Sequence, residues 1–249
     1  MTSSVTQALS ICDILQALRA GLADFKRAPL WGLFFSAFYV LTGLVLTLIS
    51  AGTFTWTILL SLGFPLVAPF AAVGFYEISR RLQAGEPITR SEVLSVVWAQ
   101  RGAQTPWIGA ILVIIFLFWS FFAHMSMALF LGTMSLTNIS TSWEVFLTPT
   151  GLTMISFQIL TGAIVALLTF AMTVISLPML LDRDVDFVTA MLTSLKTFKA
   201  HMGVLLIWAA CIAGLVLLAL IPMFLGLLVV LPVLGHATWH LYMRLRPQI

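Results

Sequence analysis

The chain has 249 residues, of which 61% are hydrophobic and only 8% are charged, about a third of the charged fraction of ordinary soluble domains. These polar residues are too few to cover the surface that a water-soluble fold of this length exposes, which excludes that class. The formal net charge of +3 gives no reason to expect a nucleic-acid partner, and we expect membrane lipids to surround most of the chain.

The first predicted element is an amphipathic helix within residues 1–29. Apolar residues recur every three or four positions from Val5 to Phe25, and Lys26 and Arg27 follow the last of them. This spacing is typical of a helix that lies in the membrane interface with its basic end near anionic head groups. Packing against the helical bundle explains the stripe equally well. Lys26 and Arg27 are therefore candidate contacts to lipid or to a partner protein.

Apolar runs predict six membrane-spanning helices in a single membrane domain, residues 1–249. A helix needs about 20 apolar residues to cross the hydrocarbon core, where no water is present to bond free backbone groups. The predicted spans are 31–51, 54–76, 107–131, 152–181, 204–221 and 222–242. The last two divide one apolar stretch at Pro222, because proline fits the first turn of a new helix. A single span there, and five in total, is the alternative.

Charge placement predicts the orientation of these spans. Six spans put all twelve basic residues on one side, and these are Arg19, Lys26, Arg27, Arg80, Arg81, Arg90, Arg101, Arg183, Lys196, Lys199, Arg244 and Arg246. The opposite side receives one formal charge, Glu144. Because cytoplasmic loops collect Lys and Arg, we predict an inner-membrane protein with both termini in the cytoplasm.

A weak internal repeat accompanies this topology. The segment from Leu22 to Lys26 is similar to the segment from Leu195 to Lys199, and each leads into a predicted span. Residues 92–98 hold the corresponding place before the third span. The fold prediction is therefore an all-α polytopic bundle with amphipathic interfacial helices on the cytoplasmic side, arranged as three units of one such helix and a two-span hairpin.

Three histidines form a candidate metal site. His236 and His240 are four residues apart and share a helix face, and His201 begins the fifth span at the same predicted depth. Imidazole is a common metal ligand, and a carboxylate from Asp182, Asp184 or Asp186 is a candidate oxygen donor. The competing interpretation places these imidazoles among head groups, where they cap carbonyls at a helix end. No cofactor is predicted.

Arg80 and Arg81 are candidate contacts to lipid phosphate or to the carboxylate of a partner. The guanidinium fork matches both kinds of group. Glu77 and Arg81 are spaced i,i+4 on the same predicted helix, so a helix-surface ion pair that also sets the topology is the favoured interpretation. The spans that lead back to the cytoplasm carry prolines near their ends, and these predict helix kinks. The prolines are Pro65, Pro69, Pro178 and Pro232.

Three segments together resemble a bacterial family of predicted integral membrane proteins that carries only a domain-of-unknown-function name. They are 66–82 (LVAPFAAVGFYEISRRL), 176–182 (SLPMLLD) and 231–242 (LPVLGHATWHLY). The resemblance extends over most of the chain. It implies an inner-membrane protein of about six spans and supplies no reaction, substrate or ligand.

The residues favour a non-enzymatic function. The predicted spans contain no Asp, Glu, Lys or Arg away from their interfacial ends, and the sequence has no phosphate-binding loop or Ser/His/Asp order. We expect an accessory or scaffold component that associates with lipids, other integral membrane proteins or itself. The rival interpretation is a small-solute or lipid transporter that uses the proline-kinked cytoplasmic half, with entry near Arg80, Arg81 and the histidines. Metal handling is a weaker third interpretation.

Overall fold

The computed structural model describes residues 9–48, 63–132 and 144–246, and these residues form helices with no strand among them. The α-helices are α1 (Ile11–Arg27), α2 (Pro29–Leu48), α3 (Gly63–Ala84), α4 (Arg90–Ala99), α5 (Thr105–Leu131), α6 (Glu144–Leu147), α7 (Pro149–Thr173), α8 (Ser176–Asp182), α9 (Phe187–Ala200), α10 (Met202–Leu220) and α11 (Leu227–Leu245). A short 3₁₀ helix, Gln100–Gly102, follows α4. The predicted all-α membrane bundle is confirmed.

Three helical stretches within the described residues are long and apolar enough to cross a bilayer. They are α5, the pair α7 and α8 taken together, and α10; α1 and α2 add a fourth if they form one bent span. The predicted count of six is not confirmed. Both α3 and α11 fall below the same criterion, and both end in charged and polar residues. The end of the first predicted span and the start of the second, residues 49–62, lie outside the described residues.

The helix ends correct several predicted boundaries. α3 continues eight residues beyond its predicted end, to Ala84, because ion pairs of its last turns hold the helix together outside the apolar region. The final apolar stretch does divide into two helices, as predicted. However, α11 begins at Leu227 and not at Pro222, since the residues after Pro222 form a turn in which Met223 (φ 51°) and Phe224 (φ 67°) adopt positive φ.

Pro178 interrupts the helix that precedes it. Proline has no amide proton to bond the carbonyl four residues earlier, and the chain accordingly breaks at Val174 and Ile175, between α7 and α8. Ser194 of α9 bonds both sides of the break, donating to the carbonyl of Ala171 (2.7 Å) and accepting from the amide of Ile175 (3.2 Å). The predicted interruption is confirmed here, whereas Pro69 and Pro232 lie inside continuous helices.

A capping box starts α1 at its amino end. The Ser10 side chain accepts from the amide of Asp13, and the Asp13 carboxylate accepts from the amide of Ser10, which satisfies two backbone donors that a helix start leaves free. At its other end α1 meets α2 at an angle of 101°. If α2 crosses the bilayer, α1 therefore lies close to the membrane plane.

Helix α11 is the centre of the packing and contacts α1, α2, α3 and α10. Its closest neighbour is α1, and the approach depends on Gly21. A Cβ atom at Gly21 would lie 2.5 Å from the carbonyl oxygen of Val233, which no side chain tolerates. Trp239 and Tyr242 of α11 and Trp208 of α10 are fully buried in the same core.

Candidate functional site

Six polar side chains from α1, α3 and α11 meet in one hydrogen-bonded group, which we call the polar junction. Its members are Asp24, Ser79, Gln83, His236, Trp239 and His240. At its centre is Asp24, which is only 4% exposed. Oδ2 of Asp24 accepts from the hydroxyl of Ser79 at 2.8 Å and is 2.7 Å from Nε2 of His240. The junction thus links the first helix to the third and the last.

The bonds of Ser79 determine the tautomer of His236. A carboxylate only accepts hydrogen bonds, so the single hydroxyl proton of Ser79 goes to Asp24. Ser79 Oγ also lies 2.8 Å from Nδ1 of His236, and this nitrogen must therefore be the donor. In the neutral ring Nε2 then carries a lone pair. That atom is buried and has no hydrogen-bond partner within the part of the chain that the structure describes.

Trp239 determines the tautomer of His240 by the same logic. The indole N–H only donates, and it donates to Oε1 of Gln83 at 3.1 Å. The amide nitrogen of Gln83 is thereby turned toward Nδ1 of His240, 2.9 Å away. Nδ1 must accept, so His240 is a neutral imidazole whose Nε2–H donates to Asp24.

Asp24 is consequently the one ionised side chain of the polar junction. Burial alone would raise the pKa of its carboxyl group, but the hydrogen bonds from His240 and Ser79 stabilise the carboxylate and hold that pKa below its ordinary value. Every donor of the group points toward Asp24, either directly or through Ser79, or along the path from Gln83 to His240. This arrangement suits a structural anchor for α1.

The three predicted metal ligands are not brought together. Among the described residues, no group of three or more His, Cys, Asp or Glu side chains is placed to hold a metal ion. His240 uses Nε2 for Asp24 and His236 uses Nδ1 for Ser79, while His201 is the linking residue between α9 and α10. Asp182, one of the proposed oxygen donors, instead accepts from the Tyr242 hydroxyl at 2.7 Å.

Arg80 and Arg81 belong to a second cluster, centred on Glu77. The Glu77 side chain is buried, and its carboxylate accepts hydrogen bonds from Nε of Arg80 at 2.7 Å and from Nε of Arg81 at 2.6 Å. The predicted i,i+4 pair is confirmed, but it is buried and does not lie on the helix surface. Arg81 also donates to the carbonyl of Pro87 and to Glu92, each at 3.0 Å. Arg81 is therefore buried and paired internally, which argues against its predicted contact to lipid, whereas the Arg80 side chain is partly exposed.

Three helices that contain or precede basic residues leave apolar side chains exposed. On α1, α4 and α9 these are Ile11, Leu15, Leu22, Leu94, Trp98, Val188 and Leu192. Each of the three helices precedes a long apolar helix, and each has a basic residue at or just after its last turn. We call these exposed residues the interfacial stripes. Their recurrence agrees with the predicted interfacial helix of each repeat unit.

The stripe of α1 occupies a different face from its contact with the bundle. Ala17 and Gly21 face α11, whereas Leu15 and Leu22 are exposed about a third of a turn away. Packing against the bundle is thus confirmed for one face of α1, and the exposed face leaves the predicted contact with the membrane interface a prediction. Lys26 and Arg27 are exposed in its last turn. At α4, the Arg101 guanidinium lies 3.8 Å from the ring centre of Trp98, a cation–π contact.

A polar cleft of about 230 Å³ opens between α1 and α11 beside the polar junction. His240 and Gln83 reach its wall, and Arg244 lines it while pairing with Asp13 and Gln16. Of the members of the polar junction, sequence reasoning singled out His236 and His240 as candidate site residues but missed Asp24, Ser79 and Gln83. The available signal was Asp24 itself, an acidic residue on the buried side of an otherwise amphipathic helix.

Comparison with known proteins gives one match. The model of the family DUF2189, described as a predicted integral membrane protein, matches residues 57–182, half of the chain. No curated protein and no solved structure matches the chain. The matched residues include α3, the Glu77 cluster and the helices α5 and α7 that are apolar enough to cross a membrane. The chain therefore belongs to DUF2189, a family of integral membrane proteins.

Proposed function

We propose that the protein is a non-enzymatic accessory or scaffold component of the inner membrane, with cytoplasmic termini, that associates with lipids and other membrane proteins. The observation that carries this proposal is the set of interfacial stripes. Exposed apolar residues next to Lys26, Arg27, Arg101 and Lys199 combine the two features that bind a helix to an anionic membrane surface, apolar burial and charge attraction.

The polar junction supports this function by fixing the position of α1. Ile14 and Ala17 of α1 pack into the core that α11 shares, and the bonds of Asp24 to Ser79 and His240 add a polar attachment. With α1 held at 101° to α2, its stripe faces outward along the membrane surface. Lipid, or an apolar surface of a neighbouring membrane protein, would cover it.

The test uses the full chain reconstituted in vesicles that contain phosphatidylglycerol. Trypsin cleaves after basic residues, and we expect the vesicle surface to protect Lys26 and Arg27 in the wild type. Leu15→Glu and Leu22→Glu each place a charge on the stripe and should raise the cleavage rate about tenfold, the effect of roughly 1.4 kcal/mol of lost association. Ala23→Glu adds the same charge on the polar face of α1 and serves as the matched control.

Equal cleavage rates in all four proteins would refute the lipid association. Native mass spectrometry of the protein, extracted gently from its own membrane, tests the association with other proteins. We expect a bound membrane protein. Leu22→Glu should weaken its binding, and Ala23→Glu should not. A monomer without protein partners would reject the scaffold function.

The rival function is transport of a small solute or lipid through the cytoplasmic half. The polar cleft beside His240 and Gln83 is the structural argument for it. The test measures the uptake of labelled solutes or lipids by vesicles that contain either the wild type or His240→Leu. Uptake that depends on His240 would favour the transporter over the scaffold.

A further inference from the structure

A recess of about 400 Å³ lies between α2, α3, α5 and α7. Its walls include Tyr39, Ala68, Phe116, Trp119, Gly162 and Ala166. Small residues create the space, because Gly162 and Ala166 lie one turn apart on α7 and Ala68 faces them from α3. The volume is within the range of pockets for small ligands, about 300–1,000 Å³.

The lining is almost entirely apolar. Of the described residues that line the recess, only Tyr39, Trp119 and Thr169 have polar side-chain atoms, and the Thr169 hydroxyl already donates to the carbonyl of Val165 at 2.8 Å. Water needs two or more polar partners to occupy a cavity stably. The recess therefore does not suit water, an ion or a polar solute.

The surroundings indicate the occupant. The recess is open to the outside of the bundle, and most of its lining belongs to α5 and α7, which are apolar enough to cross a membrane. The medium at its mouth is therefore the hydrocarbon interior of the bilayer, where acyl chains are the abundant apolar molecules. We propose that the recess is a binding site for one acyl chain of a membrane phospholipid.

Trp119 forms part of this site. A Cβ atom at position 162 would lie 3.0 Å from the Trp119 ring, so the glycine allows the indole to pack closely against α7. The ring then forms a rigid wall of the recess, in contrast to the mobile acyl chains on the rest of the bundle surface. The site rests on the proposed lipid association but uses a part of the molecule that the interfacial stripes do not touch.

Native mass spectrometry of the full chain in dodecyl maltoside tests the site. After addition of phosphatidylglycerol, we expect one phospholipid that stays bound at collision energies that remove the others. Ala166→Phe and Ala68→Phe fill the recess from opposite walls and should each lower the bound fraction at least fivefold. Leu168→Phe places the same phenyl ring at an exposed position of the same helix that does not line the recess and should leave the bound fraction unchanged.

Four results would overturn the site: no retained phospholipid in the wild type, equal retention in all variants, loss in Leu168→Phe as well, or a detergent adduct in place of phospholipid. A dimer that Ala166→Phe abolishes would show instead that a second copy covers the recess. Failure here is distinguishable from failure of the proposed function. Leu22→Glu should keep the retained phospholipid, and Ala166→Phe should keep the protection of α1 from trypsin.

Discussion

Nε2 of His240 donates to Oδ2 of Asp24 across 2.7 Å, although 216 positions separate the two residues in sequence. This bond connects α1, the first described helix, to α11, the last. It joins the helix that carries the most complete interfacial stripe to the helix at the centre of the packing. The stability of α1 should therefore respond to substitutions on α11 and α3 as strongly as to substitutions on α1 itself.

Asp24→Ala should detach α1 from the bundle. The substitution leaves the hydroxyl of Ser79 and Nε2–H of His240 without their acceptor, at about 1–3 kcal/mol for each buried group left unpaired. Thermal unfolding in detergent should show a lower midpoint, and trypsin should cleave faster at Arg19. Asp184→Ala removes an exposed acidic residue and is the control; an equal effect of the two variants would contradict the anchoring role.

Stability should fall with acidification in a manner that depends on Asp24. Its pKa is lower in the folded protein than the ordinary value of 3.8, so its contribution is present above pH 3.8 and is lost as the pH falls through the folded pKa. Asp24→Asn keeps the shape and cannot ionise. The difference in unfolding midpoint between the two proteins should therefore be constant above pH 3.8 and shrink as the pH falls below it. Parallel curves would disprove the assignment.

Gln83→Glu should change the protonation of His240. A carboxylate at position 83 can still accept from Trp239 but cannot donate to Nδ1 of His240, so we expect Nδ1 to gain a proton and donate instead. Nitrogen-15 chemical shifts of the imidazole should report the neutral Nε2–H tautomer in the wild type and the imidazolium in the variant. Gln83→Leu should leave the ring neutral. A wild-type spectrum with the proton on Nδ1 would refute the derived hydrogen-bond directions.

Gly21→Leu should separate α1 from α11. Even the Cβ atom would overlap the backbone of Val233 and the amide of Ala237, and overpacking of this kind typically costs about 1–3 kcal/mol. The variant should unfold at lower temperature and expose Arg19 to trypsin. Gly214→Ala is the matched control, since nothing lies within 4 Å of a Cβ atom there. Wild-type stability in Gly21→Leu would exclude the close helix contact.

Cysteine labelling should establish the orientation in the membrane. After replacement of Cys12 and Cys211 by serine, Glu144→Cys should react with an impermeant maleimide in intact cells, because residue 144 is on the predicted outer side. Ala84→Cys should react only after permeabilisation. Labelling of residue 84 in intact cells would reverse the predicted threading and the assignment of the interfacial stripes to the cytoplasmic face.

The sequence predicted those features that depend on neighbouring residues. The apolar runs identified α5, α7 and α10, and the i,i+4 spacing identified the pair of Glu77 and Arg81. The burial of Arg81 was not predictable, because it depends on Pro87 and Glu92 folding back over the end of α3. The polar junction depends on three segments that only tertiary packing brings together. For the same reason the shared helix face of His236 and His240 did not predict their bonds to Ser79 and Asp24.

The contacts of Ser194 connect α9 to a helical stretch that is apolar enough to cross a membrane. One hydroxyl group bonds both edges of the backbone break between α7 and α8, so α9 cannot separate from them without leaving two buried peptide groups unpaired. The two helices should consequently unfold as one cooperative unit. Hydrogen exchange at Ile175 would then report on the attachment of α9, and a force applied to α9 at the membrane surface would be transmitted into the span.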